Sequence, residues 1–199
     1  MVMSGWLMTV VGPSGAGKDT LLGSARAALS QDPRFVFARR AITRPPETSQ
    51  HAGAEDHLPM SEAEFIAARD RGAFALHWQA HGLLYGIPRD IEADLAAGRV
   101  VIANLSRAVL AEANTRYRLR VIEVTAPTAI LAARLAQRGR ETAEEIAERL
   151  MRQPALPQGL EVVQVVNDTS AEAGAARLLR ALRDGLDAGF SRPGAAAPR

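Results

Sequence analysis

Lys18 is the only lysine in a chain of 199 residues that otherwise takes its cations from arginine. It closes the run Gly12-Pro13-Ser14-Gly15-Ala16-Gly17-Lys18, which fits the spacing G-x-x-x-x-G-K. That spacing serves phosphate binding. Glycines let successive backbone N–H groups curl around a β-phosphate, the following helix offers its positive N-terminus, and the lysine bridges the β- and γ-phosphates. Arginine is a poor substitute for so compact an ammonium. The retained lysine therefore points to ATP, with Mg²⁺ as its companion ion. The residue after the lysine, normally a Ser or Thr on that ion, is Asp19, with Thr20 next. As a hard oxygen ligand Asp19 can take the metal, or Thr20 can after a small shift. The alternative is that Asp19 caps the helix, where a carboxylate is favourable.

Other candidates lie further along. Arg138, Arg140 and Arg149 flank a glycine and a helix start, where a flap over ATP would let guanidinium groups spread the charge of a migrating phosphoryl group. Arginines at helix ends can equally be solvated. Arg44, in a polar loop, suits a bidentate grip on an acceptor phosphate, and Tyr85 can donate its hydroxyl to the same group or serve as a strand-edge aromatic. Asn104 and Arg107 follow a strand at its carboxyl end, where doubly wound sheets bind ligands; a helix cap and a surface charge are the plainer roles. His57 can meet a sugar hydroxyl or a phosphate, or be a structural histidine.

These residues need a scaffold. Trp6 to Val11 reads as a strand, Lys18 to Leu29 as a helix, and Phe35 to Ala38 as a second short strand. The polar stretch from Arg39 to Leu58 has no apolar period and reads as loop or lid. Ser61 with Glu64 makes a capping box for a helix through Arg71, closed by Gly72. Ala73 to His77 and Leu83 to Tyr85 read as a hairpin turning at His81-Gly82. Pro88 at a first helical position predicts a helix over Arg89 to Ala97. Val100 to Ala103 and Leu119 to Val124 read as buried parallel strands. Pro127 opens a helix over Thr128 to Gln137, and Thr142 with Glu145 makes a second capping box for Ala143 to Arg152. Val162 to Val166 is the last strand and Ala171 to Leu186 the last helix. Alternating strands and helices imply an α/β doubly wound parallel sheet.

Composition narrows the function classes. There is no cysteine, so thiol redox chemistry is excluded and a reducing cytoplasm is compatible. No apolar run is long enough for a membrane span, and the first residues lack the basic start of an export signal. The sequence pI is about 9.6 with a net charge of only +2. The arginines are scattered among carboxylates, without the basic, aromatic-interleaved run that tracks a nucleic-acid backbone. Small phosphorylated ligands account for them instead.

The string Gly12 to Leu22 resembles the phosphate loop of guanylate kinases, and the likeness runs from about Leu7 to Leu186. Thr43-Arg44-Pro45 resembles their acceptor lid. Phe74 with Leu84-Tyr85-Gly86, then Arg138-Gly139-Arg140 with Glu145 to Leu150, resemble the F…Y-Y-G stretch and the ATP lid. Val166-Asn167-Asp168 resembles the V-N-D segment near the adenine, which makes Asn167 a nucleotide contact by resemblance. The resemblance implies a P-loop fold with one domain over residues 1–187, an acceptor-binding region at about 39–86, an ATP lid at about 138–150, and a disordered tail over 188–199. It also shows departures. Leu76 and Asn104 stand where guanylate kinases have a glutamate and an aspartate that read guanine; Arg40 replaces a serine, Glu47 an arginine and His57 a tyrosine. A site built on buried hydrogen bonds discriminates strongly when the partners are missing.

With Glu55-Asp56-His57, His77-Trp78, Asn104 to Ala108 and Arg138 to Glu141, the chain resembles the ribose 1,5-bisphosphokinases of phosphonate catabolism, a guanylate-kinase-like branch that carries G-K-D in the phosphate loop. That resemblance implies ATP and Mg²⁺ as cofactors, a sugar phosphate as partner, and Arg40, Arg44, His57, Tyr85, Asn104 and Arg107 as acceptor-binding residues. A nucleoside monophosphate kinase and a non-catalytic guanylate-kinase-like binding module are the alternatives. The first lacks its guanine acceptors here, and the second would not need Lys18.

Overall fold

The structure, a computed structural model, describes residues 4–44, 56–137, 139, 142–151 and 155–190. In chain order its elements are β1 (Trp6–Val11), α1 (Lys18–Ala28), β2 (Phe35–Phe37), β3 (Arg40–Ile42), β4 (His57–Pro59), α2 (Glu62–Asp70), β5 (Phe74–Ala80), β6 (Leu83–Pro88), α3 (Ile91–Ala96), β7 (Val100–Asn104), α4 (Leu110–Arg116), β8 (Leu119–Thr125), α5 (Thr128–Ala136), α6 (Ala143–Met151), β9 (Val162–Val166) and α7 (Ala171–Phe190).

β1 is buried from Leu7 onward because both faces of a parallel central strand are covered. It lies at the centre of a five-stranded sheet in the order β2-β7-β1-β8-β9, every neighbour parallel. Alternate side chains go to opposite faces. Leu7, Val101, Ala103 and Val121 pack with Ile91, Leu95, Leu110 and Ala113 of α3 and α4. Met8, Val10, Ile102, Ile122 and Val124 pack with Leu21 and Ala25 of α1, Leu131 of α5, and Leu178 and Leu182 of α7. Each fully covered leucine or isoleucine contributes roughly 1.5–3 kcal/mol relative to exposure. The resulting layers match the doubly wound fold expected from the alternation of strands and helices.

A second sheet of four strands, in the order β4-β3-β6-β5, stands beside the first. β5 and β6 form the expected hairpin, longer than the sequence suggests, and His81 and Gly82 at its turn both have positive φ (52° and 72°), as a two-residue type I′ connection requires. The Ser61 hydroxyl accepts from the Glu64 N–H while the Glu64 carboxylate accepts from the Ser61 N–H, so α2 carries its capping box. α2 packs Phe65 on Phe74 with ring centroids 4.5 Å apart. Ile42, Leu76, Tyr85 and Ile87 belong to the same buried cluster as Leu7 and Val101, which joins the two sheets.

Three expectations change. The stretch read as loop or lid, Arg39 to Leu58, contains β3 and β4: three-residue strands whose order comes from pairing with β6 and with each other, not from any apolar period. Pro88 ends β6 opposite Phe74 instead of opening a helix, and α3 starts only at Ile91. α7 continues to Phe190, so positions 188–190 of the expected tail are helical, while 191–199 lie outside the described residues.

Candidate active site

The phosphate loop leaves β1 at its carboxyl end and enters α1 through Gly17, the helix N-cap, at φ 85°. That left-handed conformation suits glycine. A Cβ on Gly17 would also stand 2.6 Å from Nδ2 of Asn167, and one on Gly12 would stand 2.0 Å from the carbonyl oxygen of Val124. The loop is thus pressed against the ends of β8 and β9. Asn167, buried just after β9, donates from Nδ2 to the Ala16 carbonyl at 2.8 Å, and its backbone N–H donates to the Thr125 carbonyl at 2.7 Å. Its Oδ1 is buried without a hydrogen-bond partner among the described residues. The Lys18 ammonium curls over the loop and donates to the carbonyls of Gly12 at 2.7 Å and Pro13 at 3.0 Å.

A cleft of about 810 Å³ opens in front of this loop. Gly12, Pro13, Ser14, Lys18 and Asp19 form one wall, and Arg40, Trp78 and Tyr85 of the second sheet form the facing one. Asn104 and Arg107 close the floor at the end of β7, and Arg149 reaches in from α6. α6 starts as the sequence predicts: the Thr142 N–H donates to Glu145 and the Glu145 N–H to the Thr142 hydroxyl. Four cations, Lys18, Arg40, Arg107 and Arg149, therefore border one space with Asp19, Glu145 and Glu148. Such a lining suits a multiply charged anion accompanied by a metal ion.

Within the cleft the side chains are held. The Arg40 guanidinium lies 5.3 Å from the Tyr85 ring centroid, and that ring stacks on Trp78 at 5.4 Å with an interplanar angle of 5°. Arg107 donates from Nη2 to Glu123 at 2.8 Å; Glu123 accepts a second bond from Gln164 at 3.1 Å. Asn104 donates from Nδ2 to Oδ1 of Asp19 at 3.0 Å.

Several predicted residues stand elsewhere. Thr20 is exposed on α1 and does not line the cleft. Arg44 follows β3 and is likewise outside the lining. His57 is buried at the start of β4, beside Arg40 in register, with its carbonyl accepting from Arg39 at 3.2 Å. Gly15 and Ala16 belong to the loop backbone behind the cleft. Arg138, Arg140 and Glu47 lie outside the described residues. Two residues at or beside the cleft carry no role in the sequence reading. Trp78 lines it and shares a strand face with Leu76, a period-two signal. Arg134 of α5 lies outside the lining and donates to the Gly15 carbonyl behind the cleft at 3.4 Å.

No protein-family model matches the chain. It is 54% identical over 179 residues to ribose 1,5-bisphosphate phosphokinase PhnN of Acidiphilium cryptum (strain JF-5), covering 90% of this chain and 93% of that protein. The chain belongs to the ribose 1,5-bisphosphate phosphokinase family. The protein of the same name from Brucella melitensis biotype 2 is 51% identical over 172 residues, 86% of this chain and 87% of the relative. Among solved structures, guanylate kinase from Anaplasma phagocytophilum matches with a TM-score of 0.66 over 93% of this chain and 88% of that one, at 18% identity, which shows a shared fold. Two of the positions at which the sequence departs from the guanylate-kinase pattern can be placed: Leu76 has no exposed surface, and the Asn104 amide donates to Asp19.

Among the described residues no helix is long and apolar enough to cross a membrane, and no group of three or more His, Asp or Glu side chains could by itself hold a metal ion.

Proposed function

We propose that the chain transfers the γ-phosphoryl group of ATP to the 1-phosphate of ribose 1,5-bisphosphate, giving 5-phosphoribosyl 1-diphosphate and ADP, in the cytoplasm and as a step of phosphonate catabolism. The observation that carries this reading is the facing arrangement of Lys18 and its loop against Arg40, Tyr85 and Arg107 across one cleft, with no carboxylate at position 76 or 104 to receive guanine. The names of the relatives support it.

The loop N–H groups and Lys18 would hold the β- and γ-phosphates, which displace the ammonium from the carbonyls of Gly12 and Pro13. Asn167 would hold the loop from behind through its bond to the Ala16 carbonyl. The donor set fits Mg²⁺: Asp19 is a hard oxygen ligand lining the cleft beside Lys18, whereas Thr20 faces away from it. Bound there, the ion would neutralise charge on the migrating group. Arg40, Tyr85, Asn104 and Arg107 would present the acceptor, and Arg149, together with Arg138 and Arg140 from the same lid, would cover the phosphates. The acceptor oxygen belongs to a phosphate already ionised at neutral pH, so the site needs no strong general base; positioning and charge neutralisation dominate. Arg44 and His57 stand outside the cleft lining, and no contact with the acceptor is assigned to them.

An ADP-release assay across ribose 1,5-bisphosphate, ribose 5-phosphate, GMP and AMP tests the proposal. The bisphosphate should show a kcat/KM at least about a hundredfold above that of GMP, worth about 2.7 kcal/mol of transition-state binding. Comparable turnover of GMP would make the chain a nucleotide kinase that reads guanine by other groups.

A further inference from the structure

We infer that Asp19 and Asn104 act as one unit, in which Asn104 is the positioning residue that aims the Asp19 carboxylate at the nucleotide's metal ion. The inference rests on the proposed assignment of Mg²⁺ to Asp19, but not on the identity of the acceptor.

The usual phosphate loop puts a hydroxyl after the lysine and a carboxylate at the end of a neighbouring strand, both serving Mg²⁺. Here the carboxylate follows Lys18 instead, and the strand end carries an amide that donates to it. Either change alone is costly. An aspartate at both positions would bring two anions to hydrogen-bond distance. A hydroxyl at 19 with an amide at 104 would leave the metal without a carboxylate. Made together, the changes keep one carboxylate, one donor and one hydrogen bond, with the bond's direction reversed.

The two partners differ in rigidity. Asn104 ends β7 in register with Val10, is 7% exposed, and is followed by Leu105, whose N–H donates to the Val10 carbonyl at 3.2 Å. Asp19 lies exposed in the first turn of α1. The buried strand end therefore orients the exposed carboxylate. With Oδ1 held at 3.0 Å by the amide, Oδ2 is the atom presented to a cation. Both side chains also border a second cavity of about 170 Å³, shared with Leu22, Arg26, Phe37 and Asp56.

The test is the Mg²⁺ dependence of binding of a non-hydrolysable ATP analogue, followed by calorimetry without any acceptor. Asn104→Leu, similar in volume but without a donor, should raise the Mg²⁺ needed for half-saturation about tenfold, as loss of an outer-sphere partner does. In an Asp19→Asn background the same change should have less than a twofold effect. Asp19→Ser with Asn104→Asp, which restores the usual arrangement, should return to within about threefold of the parent while Asp19→Ser alone does not. An equal effect of Asn104→Leu in both backgrounds would overturn the inference, and so would a restored pair no better than Asp19→Ser. Should the double variant fail to fold, the Asp19→Asn background decides alone. Failure of the acceptor assay would leave this result untouched.

Discussion

Position 76 shows how far burial constrains a single side chain. Leu76 is fully covered by the cluster that joins the two sheets, so a carboxylate there would be a buried charge before it could be a guanine acceptor. Leu76→Glu should cost about 3–5 kcal/mol of stability, read as a lower urea midpoint, and should bring no gain in GMP turnover. A variant of parental stability that phosphorylates GMP would show that the site can reopen around the base. Trp78 works on the same face: stacked on Tyr85 under Arg40, it turns the wall that faces the phosphate loop into an aromatic surface carrying one cation.

At the scale of elements, α6 depends on its first turn. Thr142 and Glu145 satisfy each other's backbone N–H groups, and Arg149 follows from the same helix into the cleft. Thr142→Ala should remove about 1 kcal/mol of local helix stability, seen as faster amide exchange over 143–151, and should lower kcat/KM for ATP by up to about fivefold. Unchanged exchange would mean that packing alone orders α6. Capping boxes, the phosphate loop and the central strands were legible in the sequence because each has a local cause: a side chain three residues away, a glycine at positive φ, or a continuous apolar run. β3 and β4 were not, since strands of three residues carrying Arg40 and His57 have no period to read and exist only through pairing with β6 and with each other. The same reason hid the bond between Asp19 and Asn104, whose partners are 85 positions apart. Pro88 misled because a proline suits a strand end as well as a helix start.

Over the whole molecule, one buried cluster runs from Leu7 and Val101 in the five-stranded sheet to Ile42 and Ile87 in the four-stranded one. Two sheets sharing a core should unfold together. The chain has two tryptophans, Trp6 on β1 and Trp78 on β5, one in each sheet. In the variants Trp6→Phe and Trp78→Phe, the remaining indole should give a urea midpoint that coincides with the far-ultraviolet circular dichroism midpoint of the same protein. Separate midpoints would mean that the four-stranded sheet melts on its own. The lysine folded over the phosphate loop has a further practical consequence. Because every other long cation is a guanidinium, an acylating reagent selective for ε-amines has a single side-chain target, and it lies where the nucleotide is proposed to bind. If the proposed site is correct, the extent of its modification should fall as nucleotide occupancy rises, without a label or an engineered residue.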